Sequence, residues 1–460
     1  MKLYSNVLFK NNEPVILMHV VKEYSGQGLF HFTSNEMNFD ITDLNFLIKQ
    51  YSDSKIEIYC HPPIQAIPHI INFMQDLTVS IDANIESEGH LNIQEALIST
   101  FNMDAEDHML SFKLRLRVFE PVEIIFENNE SSNIKMSAGL TNFIFNNCEN
   151  QDEYGILANL ENFSIYLKHH ENYREYSKLL NDRKETKLVT AEVIIDSKGN
   201  SLNFREISDN LTYLLSFASG TLISPIYEDY YFEEKIFKTI LRPIFTEEFK
   251  KDYQLITGSG CNIKNYLEDC FSNYSLTMHN YGLNIVINFY LSGINHDYVD
   301  IGFLLLVTSL ETILAGYAET REIEKNPIQK QLYERNRKNT LKILNDFSIH
   351  ESEKIADLIV EKVSYSHLTI PDKLNAFIKD ERHKIELDRL DNDFINIRNK
   401  IAHTGKTPKK IKYNGSERDI SIAEEFNRLN HLLDRIILTV LDYKHKPFIN
   451  RMNNEIIQLD

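Results

Sequence analysis

The sequence predicts an α+β protein, a β-rich amino-terminal half followed by an all-α bundle, and three observations carry that expectation. Up to about residue 200 apolar and polar residues mostly alternate, the period of strands with one buried face. From about residue 270 apolar residues recur every three or four positions over long stretches, as amphipathic helices require. A chain of 460 residues also exceeds one ordinary core. The expected division is a β-rich region at 1–200 with a sensing or regulatory role, a helical connection at 201–270 and a helical domain at 271–460.

In chain order, the clearest alternations lie at 55–59, 112–118, 163–167 and 189–195, and they predict antiparallel strands. Asp196-Ser197-Lys198-Gly199-Asn200 predicts a turn after the last of these. Around Asn203 the texture changes, and the spacing at 207–217 and 233–253 predicts helices. Long helices follow at 274–291, 297–317, 329–347, 351–363, 385–403 and 421–443, enough for a bundle. The helix at 385–403 carries Leu387, Leu390, Phe394, Ile397 and Ile401 on one stripe. That at 421–443 begins with Ser421 and Glu424, a capping-box spacing, and buries Ile422, Phe426, Leu429, Leu433, Ile436 and Val440. The most apolar run, 301–317, contains Glu311 and lacks basic flanks; at 17 residues it sits at the lower limit for a bilayer span and reads as a buried helix.

A hydrophobic fraction of 42% and a charged fraction of 25% are those of a folded, water-soluble protein. The net charge of -18 argues against a protein that coats nucleic acid, which needs a broad cationic face, so any nucleic-acid site must be local. Cys60, Cys148, Cys261 and Cys270 form no C-x-x-C pair, and Met1-Lys2-Leu3-Tyr4 opens no apolar signal segment. A reduced, cytoplasmic protein without membrane attachment is the expectation.

The most informative segment is Asn396-Ile397-Arg398-Asn399-Lys400-Ile401-Ala402-His403-Thr404-Gly405. An imidazole exchanges protons near neutral pH, and a guanidinium holds a phosphate through two parallel hydrogen bonds, so the Arg398/His403 pair suits phosphodiester cleavage without a metal or cofactor. On a straight helix the two diverge by roughly 140°, whereas Asn399 and His403 share a face. Gly405 predicts the helix stop, which places His403 in the last turn, free to swing toward Arg398 or a partner chain. The alternative is an ordinary ion pair of Arg398 with Asp393 or another carboxylate, with His403 favoured only by the helix dipole. Six cations (Arg398, Lys400, Lys406, Lys409, Lys410, Lys412) and no acid lie between 398 and 414, a positive patch that could hold an RNA backbone or be a solvated lysine-rich loop.

Two segments resemble the HEPN superfamily, and within it the ApeA-like HEPN proteins of bacterial antiphage defence. Leu306-Val307-Thr308-Ser309-Leu310-Glu311-Thr312-Ile313-Leu314 looks like the family's helix with a Leu-Glu pair, and 390–405 looks like its Arg-x-x-x-x-His ending. Phe394 or Ile395 stands near the family's usual Tyr, and Thr404 intervenes between His403 and Gly405. The likeness spans 274–443. It implies an all-helical bundle whose motifs face each other across a homodimer to form one RNase site. Arg398 and His403 would then be catalytic, Asn399 their polar companion and Glu311 an acid of the site, one that could equally be a structural partner of an Arg, even Arg398. RNA, with tRNA among the candidates, would be cut to 2′,3′-cyclic phosphate and 5′-hydroxyl ends, in abortive infection set off or restrained by a phage-derived factor. Toxins of the superfamily controlled by tyrosine modification carry Tyr two positions after the motif His; Gly405 stands there instead.

The competing reading is a non-catalytic HEPN-like dimerisation or nucleotide-binding module with an amino-terminal ligand- or protein-binding domain. Other signals are weaker. Gly258-Ser259-Gly260 lacks the ending of a phosphate loop, and His169-His170-Glu171 has no second ligand set at metal spacing. Lys113, Arg115 and Arg117 alternate with apolar residues, which puts three cations on one strand face, either a second RNA contact or a solvated surface.

Overall fold

In the computed structural model the residues described are 19–458 apart from 75–76, 87–88, 107–108, 127–133, 145–154, 183–186, 199–201, 244–254, 257–259, 322–326, 347–350, 358–368, 381–393, 414–415, 445–446 and 451–454. The chain forms two compact units, Met1–Glu268 and Asp269–Asp460. The architecture is mixed α+β, with strands dominating the first unit and helices the second.

Strands β1 (Val20–Thr33), β2 (Asn38–Tyr51), β3 (Ile56–Cys60), β4 (Thr78–Ile85), β5 (His90–Glu106) and β6 (Met109–Val118) pair antiparallel in the order β1-β2-β3-β6-β5-β4, and β4 closes back onto β1. The result is a six-stranded barrel. Its interior is filled by the inward half of each alternation, including Phe30, Phe32, Ile48, Ile58, Leu114 and Leu116, all fully buried. Closure also removes the unpaired edges that an open sheet would expose. Helix α1 (Ile67–Phe73) connects β3 and β4.

From β5 the sheet continues through β7 (Val122–Ile125), β13 (Lys235–Leu241), β12 (Pro225–Phe232), β8 (Lys135–Thr141), β11 (Val189–Asp196), β10 (Ser164–His169) and β9 (Gly155–Asn159), with α2 (Tyr173–Asn181) between β10 and β11. Helix α3 (Phe204–Ser219) starts at Asn203, whose side chain accepts from the Glu206 N–H, and stops at Gly220 with φ 71°. A charge network ties it to the sheet: Arg242 lies 2.7 Å from the buried Glu228 and 3.6 Å from the half-exposed Asp209 of α3.

The alternations at 55–59, 112–118, 163–167 and 189–195 are strands β3, β6, β10 and β11. After β11, the Lys198 N–H bonds the Asp196 carboxylate, the start of the expected turn; Gly199 and Asn200 lie outside the described residues. The helix expected at 233–253 is not formed where the chain is described: residues 235–241 are β13, paired with β12, so this part of 201–270 belongs to the sheet. Ile236, Phe237, Ile240 and Leu241 mimic helical spacing, but burial selects Phe237, Thr239 and Leu241, an alternation of two. Residues 244–253 of that expectation lie outside the described residues.

In the second unit, α4 (Gly260–Tyr281, which begins in the first unit) is separated from α5 (Leu283–Ile294) by Gly282 at φ 60°, which breaks the helix expected at 274–291. Helix α6 (Val299–Thr320) is long and apolar enough to cross a membrane by composition, and half of its apolar window is buried inside the protein. It packs on α5 where two glycines meet: a Cβ on Gly302 would stand 2.6 Å from the Gly293 carbonyl oxygen. Ser309 donates to the Val286 carbonyl at 2.9 Å.

Beyond α7 (Pro327–Asp346), a helix the spacing does not predict, α8 (Ile370–Lys379), opens on a capping box in which Thr369 and Asp372 cap each other's backbone. Its Phe377 meets Tyr317 of α6 edge-on at 4.9 Å. Helix α9 (Phe394–Thr404) is the described part of the motif helix, with Phe394, Ile397 and Ile401 buried as expected; Leu387, Leu390 and Asp393 lie outside the described residues. Helix α10 (Ile422–Val440) begins after Ser421 but without a side-chain cap. It buries Leu429, Leu433, Ile436 and Val440, and its Asn430 accepts from Tyr290 of α5 at 2.6 Å. Two hairpins, β14 (Lys410–Tyr413) with β15 (Ser416–Asp419) and β16 (Pro447–Asn450) with β17 (Glu455–Gln458), are strands that the sequence reading did not anticipate.

Candidate active site

The site is assembled where α9 lies along α6. Glu311 is the one carboxylate in the apolar stretch of α6 between Gly302 and Tyr317, and an ionised group there needs a partner. That partner is Arg398: its Nη2 stands 3.2 Å from one Glu311 oxygen and 3.4 Å from the other. Nη1 donates to Asn399 Oδ1 at 3.0 Å. Two of the three guanidinium nitrogens are thus held by the protein, while the side chain remains 38% exposed. A fixed guanidinium with outward donors can receive a phosphate at little entropic cost.

His403 occupies the last turn of α9 and is exposed, with no hydrogen bond or ion pair among the described residues. The helix ends as the sequence predicts: Gly405 adopts φ 63° and its N–H reaches the Ile401 carbonyl at 2.8 Å. Thr404 folds back onto the Lys400 carbonyl at 2.7 Å and also receives the Lys406 N–H at 3.3 Å. One step on, the Thr407 hydroxyl bonds the Asp300 carboxylate near the start of α6. Glu311–Arg398 and Asp300–Thr407 therefore tie α6 and the motif segment antiparallel at two levels. Nothing in the spacing of Asp300 and Thr407 pointed to that second tie.

The structure joins Arg398 directly to both Asn399 and Glu311; it does not join His403 to them, in keeping with five residues of separation on an unbroken helix. Lys400, Lys406, Lys409 and Lys410 are exposed. The expected lysine-rich loop is partly the hairpin β14–β15, in whose register Lys410 faces Asp419 and Lys412 faces Glu417. Lys410 Nζ lies 3.7 Å from Glu417 and 3.9 Å from Asp419, so acids that follow the patch in sequence offset part of its charge. The hairpin is anchored by buried Ile411 and by Arg418, 2.8 Å from the buried Glu425 of α10. Asn414-Gly415, a strong hairpin dipeptide, was the signal that could have revealed it.

Elsewhere, His169 stacks on Tyr173, and burial lowers the pKa of His170. Among the described residues no group of three or more His, Cys, Asp or Glu is placed to hold a metal ion. Gly258 and Ser259 lie outside the described residues, and Gly260 begins α4. Compared with known protein families, with curated proteins and with solved structures, the chain matches none.

Proposed function

We propose that this chain is a metal-independent endoribonuclease of the HEPN type, a cytoplasmic homodimer that cleaves RNA, with tRNA the first substrate to test. The observation that carries the reading is Arg398 held by Glu311 of α6, with an exposed His403 in the last turn of Arg398's own helix α9. In the proposed reaction His403 takes the proton of a ribose 2′-hydroxyl, and that oxygen attacks the adjacent phosphorus. Arg398, oriented by Glu311 and Asn399, stabilises charge on the non-bridging oxygens. The bond from phosphorus to the 2′-oxygen forms while the bond to the 5′-oxygen breaks. The leaving oxygen takes a proton from solvent or from the facing copy's motif. Ends carrying 2′,3′-cyclic phosphate and 5′-hydroxyl result.

His403 and Arg398 diverge on one helix, so a second copy is assigned the role of completing the site. Antiphage defence, with a phage-derived trigger acting on the β-rich unit, rests on the sequence resemblance alone. Incubating the full chain with total RNA in the presence of a chelator and mapping the new ends tests the reaction. Defined internal cuts with cyclic-phosphate ends support it. Binding without cleavage under every condition of trigger and salt would favour the alternative, a non-catalytic dimerisation or nucleotide-binding module.

A further inference from the structure

The outer face of the barrel carries a second cationic surface, remote in sequence from the motif and outside the ribonuclease reading. Along β6, Leu114, Leu116 and Val118 fill the interior, so Lys113, Arg115 and Arg117 stand outward at every second position, about 7 Å apart along the strand. Their neighbours across the sheet are set by register: Tyr59 and Thr100 flank Arg115, and Glu57 and Leu97 flank Arg117. The cations are held in place. Arg115 Nε donates to Ser99 at 3.1 Å and Thr100 at 3.0 Å, Arg117 lies over the Phe119 ring at 5.1 Å, and Lys113 lies over Tyr59 at 5.5 Å.

Two features distinguish this face from an ordinary solvated one. The acid at its centre, Glu57, is buried beneath Tyr59 and Arg115, and the register sets Asp104 opposite Ser111, beyond the row of cations, so the charge presented to solvent from Lys113 to Arg117 is positive in a protein of net charge -18. Lys49, next to Glu57 in the register, is itself met by Glu23 at 2.9 Å, and Glu95 of β5 and Glu120, which follows Phe119, are exposed, so the positive charge is confined to β6 between Lys113 and Arg117. In addition, Phe119 is 57% exposed at the end of the row, an aromatic ring left in water beside a guanidinium. A line of cations at a regular spacing, ending on an open aromatic ring, is the combination that tracks a flexible phosphodiester backbone while a base stacks on the ring. A duplex, whose bases are already stacked, would gain only the charge.

We infer that the outer face of β6, through Lys113, Arg115, Arg117 and Phe119, binds single-stranded nucleic acid. The contact is independent of the Arg398/His403 reading and stands whether or not the chain cleaves RNA.

The test measures fluorescence anisotropy of the full chain with a labelled 12-nucleotide 2′-O-methyl oligouridylate, which lacks the free 2′-hydroxyl and cannot be cut by the proposed route. Parallel arms use oligothymidylate and a 12-base-pair RNA duplex. Binding of both single strands that weakens steeply with salt, and falls at least tenfold in K113A/R117A/F119A, is the expected result. F119Y should restore stacking and bind within twofold of wild type, while F119A alone should lose fivefold or more. All these positions are on the surface, and an unchanged melting temperature confirms that the variants fold. The proposal is overturned if wild type binds neither single strand, if the triple variant binds within twofold of wild type, or if the duplex binds as tightly as the single strands. A loss seen only in K406A/K409A would also overturn it and leave the RNA contact with the motif helix.

Discussion

The Glu311 carboxylate and the Arg398 guanidinium, 87 residues apart in sequence, meet across two helices at 3.2 Å. The contact is half-open to solvent, and such pairs contribute about 0–1 kcal/mol to folding. A thermodynamic cycle of Glu311→Gln, Arg398→Lys and the double variant is expected to give a coupling of at most about 1 kcal/mol by urea denaturation. RNA cleavage by Glu311→Gln should nevertheless fall on the order of tenfold, because a misaimed guanidinium loses transition-state contacts. A large stability coupling with unchanged cleavage would make the pair structural only.

Gly405 ends the helix that presents His403. A Cβ added there meets nothing within 4 Å, so the cost of Gly405→Ala comes from its φ of 63° alone. That cost is about 1 kcal/mol. Urea denaturation should show this loss, and cleavage should fall further as the last turn frays. Stability equal to wild type would mean that the left-handed cap is dispensable.

The hairpin between β12 and β13 turns through Glu233 and Glu234 at φ 47° and 69°, both in the left-handed region. A two-residue turn of this hand favours Asn-Gly. Replacing the pair by Glu233→Asn with Glu234→Gly should raise stability by about 1 kcal/mol, read as a higher melting temperature. A lower one would show that the glutamates hold the turn by contacts that outweigh backbone strain.

Burial holds the pKa of His431, stacked on Phe448, down to about 4. Unfolded imidazole titrates near 6.5. Between those values the unfolded chain binds the extra proton, so stability is full above pH 6.5 and declines as pH falls toward 4. Urea midpoints measured from pH 7 to pH 4 should drop less in His431→Phe than in wild type. Parallel profiles would remove His431 from the acid response.

Much of the fold was legible because burial imposed its period on the sequence. The alternation at 112–118 is strand β6, and Phe394, Ile397 and Ile401 form a buried stripe. The failures are also physical. At 235–241 neighbouring apolar residues imitate a helix, and the turn that sets the strand uses glutamates in place of Asn-Gly, so its signal is silent. Closure of the barrel depends on β4 pairing with both β1 and β5, a non-local choice that no single segment records. In the site, Arg398, Asn399 and the helix stop at Gly405 could be read locally. Glu311 could be flagged as a costly acid in an apolar helix, with its choice of Arg398 among the partners considered. The Asp300–Thr407 tie and the acids facing Lys410 needed the tertiary fold.

The most direct test is cleavage of a defined tRNA by wild-type protein, Arg398→Ala and His403→Ala, each confirmed folded by circular dichroism and sized by light scattering. Each substitution is expected to lower the cleavage rate by at least a hundredfold, the scale of losing a general base or an oxyanion partner, with secondary structure and molecular mass in solution unchanged from wild type. Wild-type rates in both folded variants would contradict the assignment of the site.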